Sequence, residues 1–327
     1  MALFHAELNR KAPGLLFRDI LRGEGDARLA AQRIASSKAD VVVLLGFDYD
    51  YHLVALQAFS DLIAEAGGWR YPDLFTLRPN TGLPTYLDMD GDGKTGKAGD
   101  AQGYGRFSGE EGMAILSRYP IDREAVQDFS DRLWASFEWA DLPEVNGQLF
   151  PSGAAYEVQR LSTTAHWVVP VILPNGQTLS VGAYHATPPV FDGPEDRNGL
   201  RNADETRFWG KYLDQNPKVP LVIAGDANLD PLRGNGRREA IRELLDHELV
   251  NDPFPADTVT VDWSDIDLGH MRVDYILPTN HWTVLDTGTV LPSTANRDES
   301  RHALIWVDLA IKTTDSAPVL ETSAPSQ

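Results

Sequence analysis

The chain has 327 residues, no cysteine, and 29 Lys plus Arg against 48 Asp plus Glu, a formal net charge of −19. The length is ample for a sizeable core, the lack of Cys excludes disulfides, and the acidity repels polyanions at long range, which argues against nucleic acid as the partner. No apolar run is long enough to span a membrane, and Met1 leads straight into a strand pattern with no signal peptide in view.

In chain order, strand patterns fall at 2–8, 40–45, 112–118, 167–173, 179–185, 220–224, 271–277 and 303–311. Helix patterns, with apolar residues three and four apart, fall at 26–36, 53–66, 201–213 and 237–245. Mixed order rather than strict alternation favours a sandwich of sheets over a doubly wound sheet. No linker divides residues 1–312, which read as one domain; residues 313–327, rich in Ser, Thr and Pro, read as a disordered tail. Trp134, Trp139, Trp209 and Trp263 read as core and rim packing.

Polar residues at strand ends carry the chemistry. The buried run Pro220-Leu221-Val222-Ile223 stops in Ala224-Gly225-Asp226-Ala227-Asn228, and Asp226 and Asn228, two apart, face one side of an extended chain. Taken alone, this segment is equally an Asx turn after a strand. Tyr184-His185 closes another strand, Asp274 sits inside the apolar run Val273–Ile276, Ser300-Arg301-His302 precedes the last strand, and His5 and Glu7 alternate along the first. Polar side chains released at strand ends collect at the rim of a sheet, where α/β enzymes place their sites.

In this order the segments resemble the endonuclease/exonuclease/phosphatase (deoxyribonuclease I-like) superfamily, most specifically in the Gly-Asp-x-Asn box at 225–228 and the His before the last strand. The resemblance runs from about Leu3 to Leu309. It implies a four-layered α/β sandwich, two packed mixed β-sheets flanked by helices, with the site at one edge. It also implies roles: His302 as general base or transition-state imidazole, oriented by Asp274; Asp226 to position or deprotonate the attacking water; Asn228 to hold a phosphate oxygen; His185 to donate to the phosphate or assist the leaving group. A carboxylate that accepts an imidazole N–H fixes the tautomer and raises the basicity, which gives the Asp274–His302 pairing its physical reason.

Three positions depart from the family pattern. His5 stands where most relatives carry Asn, Gly46 where a metal-binding Glu ends the second strand, and Arg301 where an acid precedes the final His. Magnesium is usually held by one or two carboxylates plus substrate oxygens, so losing two acids and adding a guanidinium weakens that site. Three explanations stay open. His5, Glu7 and Asp226 hold a relocated ion such as Mn²⁺ or Zn²⁺; Arg301 supplies the missing positive charge and binds the substrate anion; or catalysis is lost and a binding protein remains. Survival of His185, Asp226, Asn228, Asp274 and His302 together speaks against loss.

A second motif is independent of the first. Asp88-Met89-Asp90-Gly91-Asp92-Gly93-Lys94 has the D-x-D-x-D-G start of a calcium loop. Asp88, Asp90 and Asp92 would ligate through side chains, Lys94 through its carbonyl, and Asp100 would close the shell. Gly99 at the twelfth position and the lack of flanking helices separate it from an EF-hand, so its expected role is to pin the excursion from Thr81 to Phe107. A solvated acidic turn is the plainer reading. Calcium and acidity favour a periplasmic or secreted location over the cytoplasm.

The expected function is hydrolysis of a small phosphate mono- or diester by activated water, in a monomer with a remodelled metal site; Mg²⁺, Mn²⁺ and Zn²⁺ all remain open. Arg197 and Arg201, just after the His185 strand, are candidate substrate cations, though they could equally pair with Glu195, Asp204 and Glu205. The rival functions are a catalytically inactive binding protein and a nuclease, the latter opposed by the charge.

Overall fold

Runs of Val, Leu and Ile buried on both faces build the centre of the protein. The computed structural model describes residues 1–23, 25–292 and 299–312. The expected tail at 313–327 lies outside the described residues. The strands begin with β1 (Ala2–Leu8), β2 (Val41–Phe47), β3 (Asp73–Phe75), β4 (Gly112–Ser117), β5 (Gln127–Asp128), β6 (Glu144–Val145), β7 (Gln148–Leu149) and β8 (His166–Ile172). They continue with β9 (Thr178–His185), β10 (Leu221–Asp226), β11 (Val261–Trp263), β12 (Gly269–Met271), β13 (Asp274–Pro278), β14 (Trp282–Val290) and β15 (Leu304–Ile311). The helices are α1 (Leu15–Arg22), α2 (Gly25–Ser37), α3 (Val54–Glu65), α4 (Gly153–Tyr156), α5 (Arg197–Gln215) and α6 (Arg238–Leu245).

Two mixed sheets dominate, ordered β14-β15-β1-β2-β4-β3 and β13-β10-β9-β8-β5. Their inner faces meet through Leu3, Val43, Leu45, Ile115 and Val307 from one sheet and Val169, Val181, Val222, Ala224 and Ile276 from the other. Strand alternation puts Phe4, Ala6, Leu8, Val42 and Leu44 on the opposite face, packed against Leu16, Ile20, Ile34, Phe59 and Ile63 of α1 to α3. On the far side Tyr184, Ile223, Tyr275 and Leu277 pack against Trp209, Leu213, Ile241 and Leu244 of α5 and α6. The result is the four-layered sandwich expected, with the sheets turned inward because both faces of each are apolar.

Every strand and helix expected from the pattern is present. α5 is longer than expected because its first turn, Arg197-Asn198-Gly199-Leu200, is largely buried yet carries polar residues and a Gly, which hid the periodicity. The short elements β3, β5, β6, β7, β11, β12 and α4 went unanticipated, as did two longer ones, α1 and β14. α1 is only eight residues long and starts after Gly14 at φ 77. β14 is an edge strand whose side chains are largely exposed, so it lacks the apolar alternation that marks a buried strand.

Candidate active site

Register brings the polar strand ends together. Asp226 at the end of β10 lies opposite His185 on β9 and opposite Asp274 on β13. His302, just before β15, bridges to Val261, and β1 and β13 both contact β15, which carries His302 and His5 to the same edge. His302 Nδ1 and Asp274 Oδ2 are 2.8 Å apart, and His5 Nδ1 and Asp226 Oδ2 are 2.9 Å apart. The His5 ring centre lies 4.2 Å from that of His302 and 4.7 Å from that of His185. Asn228, held at φ 50, donates its backbone N–H to Asp226 Oδ1 at 2.7 Å and its Nδ2 to the Ala186 carbonyl at 3.0 Å. The five residues of the expected set therefore converge in one cluster at this edge, with His5 among them.

Burial governs the charges. It favours the neutral form of His185 and, with the positive charge of His5 nearby, lowers that imidazole to about 4. Burial also opposes charge on His5, but the hydrogen bond to Asp226 and the acids Glu111 and Glu7 outweigh it and raise His5 well above the usual range. Asp274 is raised by burial despite its bond to His302, whereas in Asp226 the His5 bond and the neighbouring imidazoles overcome burial and lower it. The two carboxylates thus shift in opposite directions: the charged form is favoured at Asp226 and opposed at Asp274, which is bonded to His302.

The structure corrects the expected His5–Glu7–Asp226 metal set. Glu7 has φ 50, and the β1–β2 register shifts between His5 and Leu8, so the alternation that would place Glu7 beside His5 breaks there. Glu7 instead accepts the Arg301 backbone N–H at 2.8 Å and its Nη2 at 2.9 Å. Burial would raise Glu7, but His302, His5 and Arg301 hold it at about 2. Arg301 is spoken for as well: Asp265 lies 3.6 Å from Nη1, so two acids already neutralise the guanidinium expected to bind substrate. Arg301 locks Glu7 at the rim.

The other two candidate substrate cations are also corrected. Arg197 is buried and donates to Gln159 Oε1 at 2.7 Å; Arg201 donates to the carbonyls of Arg160, Leu161 and Ser162. These donors fasten the chain before β8 to α5, a scaffold role. From the same helix Glu205 accepts the Thr187 N–H at 2.7 Å, two residues beyond His185, and burial pushes its carboxyl up to about 7.

Sequence reasoning missed Glu111 and Asp48. Glu111 Oε1 lies 3.8 Å from His5 Nε2, and Asp48 ties the surrounding loops by accepting N–H bonds from Glu111 and Arg10. The signal for Glu111 was available: Glu110-Glu111 stands directly before β4, another strand ending at the same edge. Arg272 was passed over too. It is buried beside Asp274 and holds Asp252 with Nη1 at 2.9 Å and Nη2 at 2.6 Å, which anchors the start of β13.

The acidic loop forms a separate group of carboxylates. Asp88, Asp90 and Asp100 bring carboxylate oxygens within 4.8 Å of one another. Asp100 is buried and accepts the N–H of Met89 at 3.0 Å and of Lys97 at 2.8 Å. Asp92 departs from the expected ligand set because its carboxylate pairs with Lys97 Nζ, and the Lys94 N–H is bound by Asp92 Oδ1 at 2.9 Å.

The sequence profile described as the Endonuclease/Exonuclease/phosphatase family matches residues 15–315. The chain belongs to this family. Among solved structures it is similar to an endonuclease/exonuclease/phosphatase from Beutenbergia cavernae, with 18% identity over 95% of this chain and 71% of that one and a TM-score of 0.60. A family protein from Leptotrichia buccalis matches at 16% identity, 95% and 98% coverage and a TM-score of 0.53. The human Nocturnin catalytic domain with bound sulfate anion matches at 13% identity, 95% and 93% coverage and a TM-score of 0.53. At such identities the likeness is one of fold. No curated protein matches the sequence significantly.

Proposed function

We propose that this protein hydrolyses a small phosphate mono- or diester by attack of an activated water, acting as a monomer. The observation that carries this reading is the buried His302–Asp274 pair, 2.8 Å apart, beside Asp226 at one sheet edge. Asp274 accepts from Nδ1 of His302 and leaves Nε2 free to take a proton from water, with the resulting imidazolium stabilised by the carboxylate. Asp226, kept ionised, orients that water and His5. The water oxygen bonds to phosphorus, the bond from phosphorus to the ester oxygen breaks, and the leaving alkoxide takes a proton from solvent. A neutral His185 serves here as an N–H donor to the phosphate or leaving oxygen; at a pKa of about 4 it carries no spare proton near neutrality. A divalent ion held at this edge would supply positive charge to screen the phosphate oxygens.

The net charge of −19 favours a small anion over a nucleic acid, because phosphate backbones demand basic patches. A panel of phosphomonoesters, phosphodiesters and duplex DNA, each assayed with Mg²⁺, Mn²⁺ and Zn²⁺, tests this. We expect turnover of a small ester; turnover of none, or preference for DNA, defeats the reading.

The loop at Asp88, Asp90 and Asp100 is proposed to bind calcium and to stabilise the segment between Thr81 and Phe107, which suits a location outside the cytosol. A ligand that binds only the folded state adds RT ln(1 + [L]/Kd), about 2.7 kcal/mol at a hundredfold excess over Kd. Chelator should lower the melting temperature and Asp90→Ala should abolish the response. Superimposable melting curves with and without calcium would refute the site.

A further inference from the structure

The family pattern implies a magnesium ion at this edge, and the residues present do not fit one. Magnesium favours an octahedral shell of oxygens, with carboxylates as its protein anchors. Position 46 offers no side chain, and Arg301 with Glu7 forms a closed pair at the position of the second acid. The His5 ring fills the space beside position 46. A Cβ on Gly46 would lie 2.7 Å from His5 Cδ2 and 2.9 Å from Nε2, so the ring occupies the volume through which a strand-end carboxylate would enter.

What replaces the oxygens is legible in the ring's two nitrogens. Nδ1 is bound to Asp226 Oδ2 at 2.9 Å. Nε2 is buried and has no hydrogen-bond partner among the described residues, in a side chain only 6% exposed overall. It faces Glu111 Oε1 at 3.8 Å, too far for a hydrogen bond. Two donors each about 2.1 Å from a tetrahedral ion stand roughly 3.4 Å apart, close to this span. A histidine whose Nδ1 is bonded to one carboxylate while its Nε2 lies without a hydrogen bond beside another has the outer-shell arrangement of a metal ligand. The close approach of His5, Asp226, Asp274 and His302 is accounted for differently, by the two direct hydrogen bonds within that group.

We propose that His5 Nε2 and Glu111 hold a nitrogen-tolerant divalent ion of the zinc, manganese or cobalt type in place of the family's magnesium, with water and substrate oxygens completing its shell. Imidazole and carboxylate together suit these ions. The inference concerns the same site as the proposed hydrolysis and rests on that reading for its purpose, but the binding is measurable without substrate. The alternative occupant of Nε2 is a proton, and the experiment separates the two.

Full-length protein carrying Asp90→Asn, to remove the acidic loop from the count, is dialysed free of metal and titrated with Co²⁺ while visible d–d absorption is followed. We expect one equivalent with bands of mixed nitrogen and oxygen ligation. His5→Asn and Glu111→Gln should each weaken binding by more than the roughly 10–100-fold that loss of an outer-shell partner costs. Zinc should displace the cobalt, and millimolar magnesium should not. Absence of d–d bands, unchanged affinity in both variants, or equal competition by magnesium overturns the proposal. Glu111→Gln, at the partly exposed rim, keeps the test open should His5→Asn fail to fold. Ester hydrolysis by a protein that binds no cobalt sinks this inference alone; cobalt binding without hydrolysis of any ester sinks only the proposed function.

Discussion

Replacing His302 with alanine is expected to lower hydrolysis of a small phosphate ester by about 10²–10⁴-fold, the range that a positioned general base contributes. The loss should fall on kcat, because the proton is transferred only as the bond to phosphorus forms, and KM should change far less. Asp274→Asn tests the same pair from the other side. The amide keeps its place in β13 but cannot stabilise an imidazolium, so the rate should again drop while the ring remains. Because Asp274 is buried and His302 is its bonded partner, alanine at 302 leaves a carboxyl without that bond, and thermal melts must accompany the kinetics. A folded His302→Ala protein with wild-type turnover would remove this residue from the chemistry.

The second large effect is steric. Gly46→Glu restores the family's residue, yet it should destabilise the protein by about 2–4 kcal/mol. Gly46 sits at φ +67, where a side chain costs about 1 kcal/mol or more, and its Cβ would meet the His5 ring at 2.7 Å, an overpacking that costs about 1–3 kcal/mol. His5→Asn removes the ring and should recover the steric part but not the backbone part. Urea unfolding of the two single variants and the double variant gives the coupling, expected at about 1–3 kcal/mol in the rescuing direction. Strict additivity would show that His5 and Gly46 did not exchange space. Changing Gly46 and Arg301 alone is therefore expected not to rebuild a magnesium site, because the His5 ring fills the space that a carboxylate at position 46 would enter.

Much of the protein was legible before any coordinate. Continuous β-branched runs announce strands buried on both faces, so β2, β8, β9, β10 and β15 are readable from hydrophobicity alone. His185, Asp226, Asn228, Asp274 and His302 are readable for a related reason, since polar residues at the ends of such runs have only the sheet rim to occupy. What the pattern could not convey was anything that depends on a broken rule or on distance across the sandwich. Alternation placed Glu7 with His5, but a left-handed residue and a register shift turned it toward Arg301. Arg197 and Arg201 were open to either role in a linear reading, and only packing shows their donors committed to buried carbonyl and amide oxygens. Glu111 stands 106 positions from His5 and faces it because β2 pairs with both β1 and β4, whose ends meet at that edge. Local periodicity specifies which face a side chain takes while the backbone stays regular; which residues then meet is decided by strand order and register, quantities that no short stretch of sequence contains.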